Sequence, residues 1–303
     1  MPFISLQACV LSFFILISIP TASHIQADAL SLEQIQASAQ KGDAEAEFLL
    51  GRAYFRGEGV PQDDVRAVEL YRKAAAQGYA KAENNLGFMY MNGRGVKTDP
   101  AEAAKWYRKA ADQGVALAQE NLALLLSTGA PGVPKDMKQA LSWFQKAAEQ
   151  GLVDAQVHLG KLYYFGEEGL DKNPIQAAKW IGYAAHQGNA WAQNILGVMY
   201  ENGLGLGKDM QAAVEWYRKS AEQGDAKGQS NLGNLYLKGV GVKRDPVQAY
   251  KWLALSANQG EITSQKDLDE LKPVLTQKQL DEGQRLISEF SVSRTSSDSL
   301  SAK

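Results

Sequence analysis

The sequence predicts an all-α fold, a right-handed α–α solenoid of six helix–loop–helix units with capping helices at both ends. Three observations predict it. Glycines recur at Gly42, Gly78, Gly114, Gly151, Gly188, Gly224 and Gly260, in steps of 36, 36, 37, 37, 36 and 36 residues. A fixed period in this range marks stacked supersecondary units, not one closed core. Within each step, apolar residues return twice at the 3.6-residue spacing of a helix, and the same start and stop residues stand at the same offsets. Local preferences therefore agree with one two-helix hairpin, repeated six times.

Residues 1–27 contain no Lys, Arg, Asp or Glu, and Val10–Ile19 is nearly all apolar. That run is too short to cross a bilayer, which takes about 20 helical residues. With Pro20 and the small residues Ser23 and Ala27 behind it, the segment reads as a secretory signal peptide cut near Ser23 or Ala27, although it lacks a positive n-region. Cys9, the one cysteine, lies inside it, so the mature chain is expected to have neither disulfides nor thiolate chemistry. Leu6-Gln7-Ala8-Cys9 precedes the apolar run, whereas a lipoprotein box follows one. Residues 28–41 are predicted to form an N-terminal capping helix, since Ala37–Gly42 echoes the unit ending Lys73–Gly78.

The six units are placed at 42–77, 78–113, 114–150, 151–187, 188–223 and 224–260. The second serves as the template. Its first helix carries Ala82, Leu86, Met89 and Tyr90 on one face, and Gly93-Arg94-Gly95-Val96 ends it, glycine tolerating the positive φ of a helix stop. Asp99 then caps a new helix and Pro100 opens it. The second helix carries Ala103, Trp106, Tyr107 and Ala110, with Arg108 and Lys109 near its end, where cations suit the dipole. The capping slot repeats as Asp63, Asp99, Asp136, Asn173, Asp209 and Asp245. The large apolar slot repeats as Leu70, Trp106, Trp143, Trp180, Trp216 and Trp252. A lone hairpin of this size cannot bury such a face, so stability is expected from nearest-neighbour stacking.

Residues 261–290 are predicted to be C-terminal capping helices. Leu268, Leu271 and Leu275 extend the apolar stripe until Pro273 interrupts it, and Thr276-Gln-Lys-Gln279 has the form of a capping box. A last helix buries Leu280, Leu286, Ile287 and Phe290. Residues 291–303 are serine-rich and without pattern, and are expected to be a disordered tail.

The template pattern Ala82…Leu86-Gly87-x-x-Tyr90-x-x-Gly93-x-Gly95-Val96…Asp99…Ala103-x-x-Trp106-Tyr107-x-Lys109-Ala110-Ala111…Gly114 resembles the Sel1-like repeat, a relative of the tetratricopeptide repeat with a longer glycine-rich loop. The resemblance covers all six units. The third departs with Leu122-Ala123, Leu126 and the widened loop Gly129–Val133, and the fourth with a loop one residue longer at Gly166–Leu170. The resemblance implies an α-solenoid acting as an adaptor or scaffold for other proteins, often in bacterial envelope or host-contact roles. Some cysteine-rich members are linked to β-lactam binding or hydrolysis, but those carry a disulfide in each repeat, which this chain lacks.

Chemistry is sparse. A net charge of −2 and the absence of a basic stripe argue against nucleic acid as a partner. Gly203-Leu-Gly205-Leu-Gly207-Lys208-Asp209 lacks the spacing and the Ser or Thr of a phosphate loop, and it follows a helix instead of a strand. His158 and His186 fall on different helices without a cysteine, so no metal site is expected. The Asp column is explained by capping. The expectation is a protein that is not an enzyme and uses no cofactor.

A partner is expected on the concave side, which the resemblance assigns to the first helices. Three positions on one face of each vary between units. They read Phe48/Arg52/Phe55, Asn84/Phe88/Met91, Glu120/Leu124/Ser127, Val157/Lys161/Tyr164, Asn194/Val198/Glu201 and Ser230/Asn234/Leu237. Apolar surface rimmed by polar groups suits a peptide or a helix of another protein. The chain is thus expected to be a periplasmic or secreted monomer without a membrane span once the signal is cut. It is expected to bind a protein or peptide or, as an alternative, to act with peptidoglycan or its enzymes.

Overall fold

The structure, a computed structural model, describes residues 30–167 and 170–301, with side chains as far as residue 291. The signal peptide predicted at 1–27 and Cys9 lie outside the described residues. The described residues form helices α1 (Leu32–Gln40), α2 (Ala44–Arg56), α3 (Asp64–Ala76), α4 (Ala80–Asn92), α5 (Pro100–Asp112), α6 (Ala116–Thr128), α7 (Met137–Glu149), α8 (Val153–Phe165), α9 (Pro174–His186), α10 (Ala190–Asn202), α11 (Met210–Glu222), α12 (Ala226–Lys238), α13 (Pro246–Ala257), α14 (Ile262–Leu271) and α15 (Gln277–Ser301). Among them there is no strand, and the only bridges are two isolated ones inside loops. The chain divides into two compact bodies, residues up to Ala155 and residues from Gln156 on. Within each, helices pack on their neighbours in chain order, the packing of an α-solenoid.

All six capping residues act as the sequence predicts. Asp63, Asp99, Asp136, Asn173, Asp209 and Asp245 each accept from a backbone N–H in the first turn of a second helix. Thr276 and Gln279 exchange the bonds of a capping box. Ser31 and Gln34 form another at the start of α1, one that reading the sequence overlooks. Pro273 sits in a short 3-10 turn, Lys272–Val274, between α14 and α15. The structure carries α15 on to Ser301, past the point where a disordered tail is predicted. No Gly or Pro between Ser291 and Ser301 stops the helix.

In the loops of the second, fifth and sixth repeats the two glycines have different work. Gly93 adopts φ 65° and ends α4 in the left-handed conformation. Gly95, at φ 66°, lies so close to the start of α3 that a Cβ would fall on the Asp64 carbonyl. Gly205 lies the same way on Pro174, and Gly241 on Met210. In these three loops the second glycine therefore seats the loop on the preceding hairpin, beyond the helix-stopping role predicted for it.

The Leu-Gly pair of the first helix has a packing reason. A Cβ on Gly87 would stand 2.7 Å from the Tyr107 ring, and one on Gly197 2.6 Å from the Tyr217 ring. The glycine lets the residue after the tryptophan slot drive between the two helices. That column, Tyr71, Tyr107, Phe144, Ile181, Tyr217 and Leu253, is the deepest part of the core. The tryptophan column lies beside it. Trp143, Trp180, Trp216 and Trp252 are buried, while Leu70 and Trp106 are half-buried. Lysine ammonium groups lie over the indoles at 4.2 Å (Lys109 on Trp106), 3.9 Å (Lys146 on Trp143) and 4.1 Å (Lys219 on Trp216). These lysines cover indole surface as well as facing the helix ends.

Candidate protein-interaction surface

The predicted stripe divides by column. Its first members, Phe48, Asn84, Glu120, Val157, Asn194 and Ser230, are all buried. Polar members of this column bond to the next first helix. Asn121 donates to Asn84 at 3.2 Å, Asn231 to Asn194 at 2.8 Å, and Ser264 to Ser230 at 2.7 Å. Phe48 packs on the rings of Tyr71 and Tyr79. Phe55 is buried too, edge-on to Phe88 at 6.0 Å, with the Arg94 guanidinium 4.2 Å above it. Phe48, Phe55, Asn84 and Asn194 are therefore interior groups. Close approach of adjacent first helices turns that side of each helix inward.

The other stripe residues, Arg52, Phe88, Met91, Leu124, Lys161, Tyr164, Val198 and Asn234, are half-buried. They form the inner margin of a face turned about one helical step from the prediction. In the N-terminal body this face adds Leu49, Asn92 and Thr128. In the C-terminal body it adds Trp191, Ile195 and Asn231. Trp191 is the residue that sequence reasoning missed. The Lys161 ammonium lies 4.7 Å from its ring centre, and Tyr164 stands edge-on to the exposed Phe165 at 4.9 Å. Its spacing, seven residues before Val198, was the available signal. Asn234 donates to Asp267 at 2.9 Å, and Glu201 accepts from the Tyr217 hydroxyl at 2.6 Å.

Behind the face, a glutamine at the end of each second helix donates to the first helix of its own repeat. Gln77 reaches Glu47, Gln113 reaches Glu83, Gln150 reaches Gln119, Gln187 reaches Gln156, Gln223 reaches Gln193 and Gln259 reaches Gln229, all between 2.7 and 2.9 Å. These bonds hold the two helices in register. Burial raises the Glu83 carboxyl, opposed by the Lys109 charge and the Gln113 bond. Burial pushes the Glu120 carboxyl up to about 8, and the Asp154 charge adds to this. Burial pushes His158 down to about 4, helped by the Lys161 charge, so it is neutral at pH 7. His186 is exposed at the end of α9, its Nδ1 2.7 Å from the Gly182 carbonyl and its ring against Trp216. Among the described residues no group of three or more His, Cys, Asp or Glu is placed to hold a metal ion. None of their helices is long and apolar enough to cross a membrane.

The Sel1 repeat matches this chain six consecutive times, at residues 44–79, 80–115, 116–152, 153–189, 192–225 and 226–261. The chain belongs to the Sel1 repeat family. Each match takes in one first helix and the second helix that follows. Among solved structures, a Sel1 repeat protein from Oxalobacter formigenes is 34% identical with a TM-score of 0.62, over 74% of this chain and 89% of that one. A protective antigen of uropathogenic Escherichia coli strains with the same fold is 32% identical with a TM-score of 0.58, over 86% of this chain. This chain spans 63% of the length of that antigen. No curated protein sequence matches the chain. Sel1 repeats generally serve as scaffolds for protein interaction.

Proposed function

We propose that this Sel1 repeat protein is an exported, non-catalytic scaffold that holds a protein or peptide partner on its first-helix face. The observation that carries the reading is the half-buried apolar side chains on the first helices of each body. Phe88, Met91 and Leu124 in one body, and Tyr164, Trp191 and Val198 in the other, keep solvent-facing surface while their neighbours are used up in packing. Apolar side chains interleaved with Arg52, Lys161 and Asn234 suit an extended segment or an amphipathic helix. The scaffold role common to Sel1 repeats supports the same reading, and the uncharged, apolar start of the sequence supports export to the periplasm or beyond.

The test is photo-crosslinking in the native cell from positions 88 and 198, followed by mass spectrometry. A protein captured from position 88 or from position 198, and lost in a Phe88→Ser or Tyr164→Ser variant of the same body that melts as the parent does, is the expected result. Collapse of the melting transition in these variants assigns the two rings to the core and overturns the reading. The mass of the protein recovered from periplasm and medium checks export, a cut near Ser23 or Ala27 being expected.

A further inference from the structure

We propose that the outer face of α9 is a second docking site, one that takes an amphipathic helix of a partner protein with an uncharged stripe like that of α15. The chain supplies its own controls. The ninth and tenth residues after each second-helix cap are Arg72-Lys73, Arg108-Lys109, Gln145-Lys146, Gly182-Tyr183, Arg218-Lys219 and Ala254-Leu255. Four of these pairs are polar, and of their eight residues all but the half-buried Arg218 are exposed.

The pair Ala254-Leu255 is small then apolar, and both residues are buried in the cluster that α15 closes. There Phe290 of α15 stands edge-on to Trp252 at 5.4 Å, Ile287 joins the core, and Gly283 lets α15 come down onto the Tyr250 ring. In this protein, then, a small residue followed by an apolar one accompanies a face with a helix laid across it.

Gly182-Tyr183 is the other pair of this kind, and among the described residues no helix covers it. Tyr183 is 51% exposed and Ile175 69% exposed on the same helix. A Cβ at Gly182 would meet nothing within 4 Å, so the backbone there is open to close approach. Tyr183 stands edge-on to Trp180 at 5.7 Å, offering an aromatic step beside an indole as Phe290 and Trp252 do together. Charge points to the chemistry of the occupant. From Ile175 to His186 the one formal charge is Lys179, whose ammonium lies over Trp180 at 4.5 Å. The equivalent stretch of α5 holds Glu102, Lys105, Arg108, Lys109 and Asp112. A face with a single ammonium, already laid over Trp180, gives an acidic or basic partner little to pair with, whereas an apolar stripe removes the exposed Ile175 and Tyr183 from water. The stripe it fits is that of α15, with Leu280, Gly283, Ile287 and Phe290 on one side.

The test uses the full chain and a fluorescein-labelled peptide of residues 277–290 as the probe, read by anisotropy. Saturable binding is expected, weakened at least tenfold by Gly182→Arg/Tyr183→Lys, which restores the pair that α5 carries. Tyr183→Lys alone, with Gly182 kept, is expected to show most of that loss and guards against misfolding of the double variant. Absence of saturable binding overturns the proposal. So does equal binding by the variants, because the peptide would then be replacing the chain's own α15 on α13. Concentration-dependent dimers in sedimentation velocity that the double variant abolishes would give the face to a second copy, and would overturn it as well.

Discussion

In the C-terminal body, α10 and α12 meet through an amide pair, Asn231 donating to Asn194 at 2.8 Å, whereas α9 and α11 meet through rings, His186 against Trp216. The contrast holds along the chain. The first helices bury Asn84, Asn121, Gln119, Gln193, Gln229 and Ser230, while the second helices bury Tyr, Trp, Phe, Ile and many alanines, with Ser220 and Ser256 as their polar exceptions. A buried amide tolerates one partner at one distance, so the first-helix layer fixes register. Buried apolar area is not directional; the first helices add Leu86, Met89, Leu122, Leu159, Leu196 and Leu232 to it, while the second helices bury apolar side chains with few polar ones among them. The first helices of this chain thus carry the alignment-specifying amides beside their apolar core, whereas the second helices are almost wholly apolar where buried.

The largest expected break of this contrast is Tyr107→Ala, which empties the deepest column. A loss of roughly 3–5 kcal/mol in chemical denaturation is expected. The half-buried Trp106 next to it should cost less when truncated, and a larger cost there would invert the ranking of the two columns. Gly197→Ala probes the same column from the other helix. Its new methyl would stand 2.6 Å from the Tyr217 ring, and a loss of about 1–3 kcal/mol is expected.

Glu120 sharpens the comparison through pH, since it is a buried carboxyl in the first-helix layer. Its folded value of about 8 lies above the ordinary 4.5, so protonation favours the fold. The favourable contribution is complete below pH 4.5, fades as pH rises toward 8, and is gone above that. Glu120→Gln is expected to flatten this slope and to raise stability at pH 8 by on the order of 2 kcal/mol. An unchanged melting profile across pH 5–8 would sink it. Asn231→Ala leaves the Asn194 oxygen without its donor and should cost about 1–2 kcal/mol. Asp99→Ala removes one cap, and about 1 kcal/mol is expected. A cap loss exceeding the Tyr107 loss would mean that local signals, not packing, hold the hairpin.

Much of the architecture was readable from the chain. The period, the Asp and Asn caps and the glycine stops act over three or four residues, so their geometry is decided before any neighbour arrives. The candidate face was half readable. Its middle column, Arg52 to Asn234, is half-buried at the surface margin, whereas Phe48, Asn84 and Asn194 turn inward. A helical wheel gives a period and not a zero angle. The zero is set by how closely adjacent first helices approach, and here they approach near enough for amides to bond. Trp191 was missed for the same reason, lying on the side that this rotation brings outward.

By itself, then, the sequence determined the hairpin, its count and its caps, because those depend on backbone bonds between residues near in the chain. Only the tertiary structure decided which of two adjacent large residues goes deepest, what the second loop glycine is for, and which flank of each first helix meets water. Those questions turn on where another helix's backbone lies, a distance that only stacking of the repeats sets.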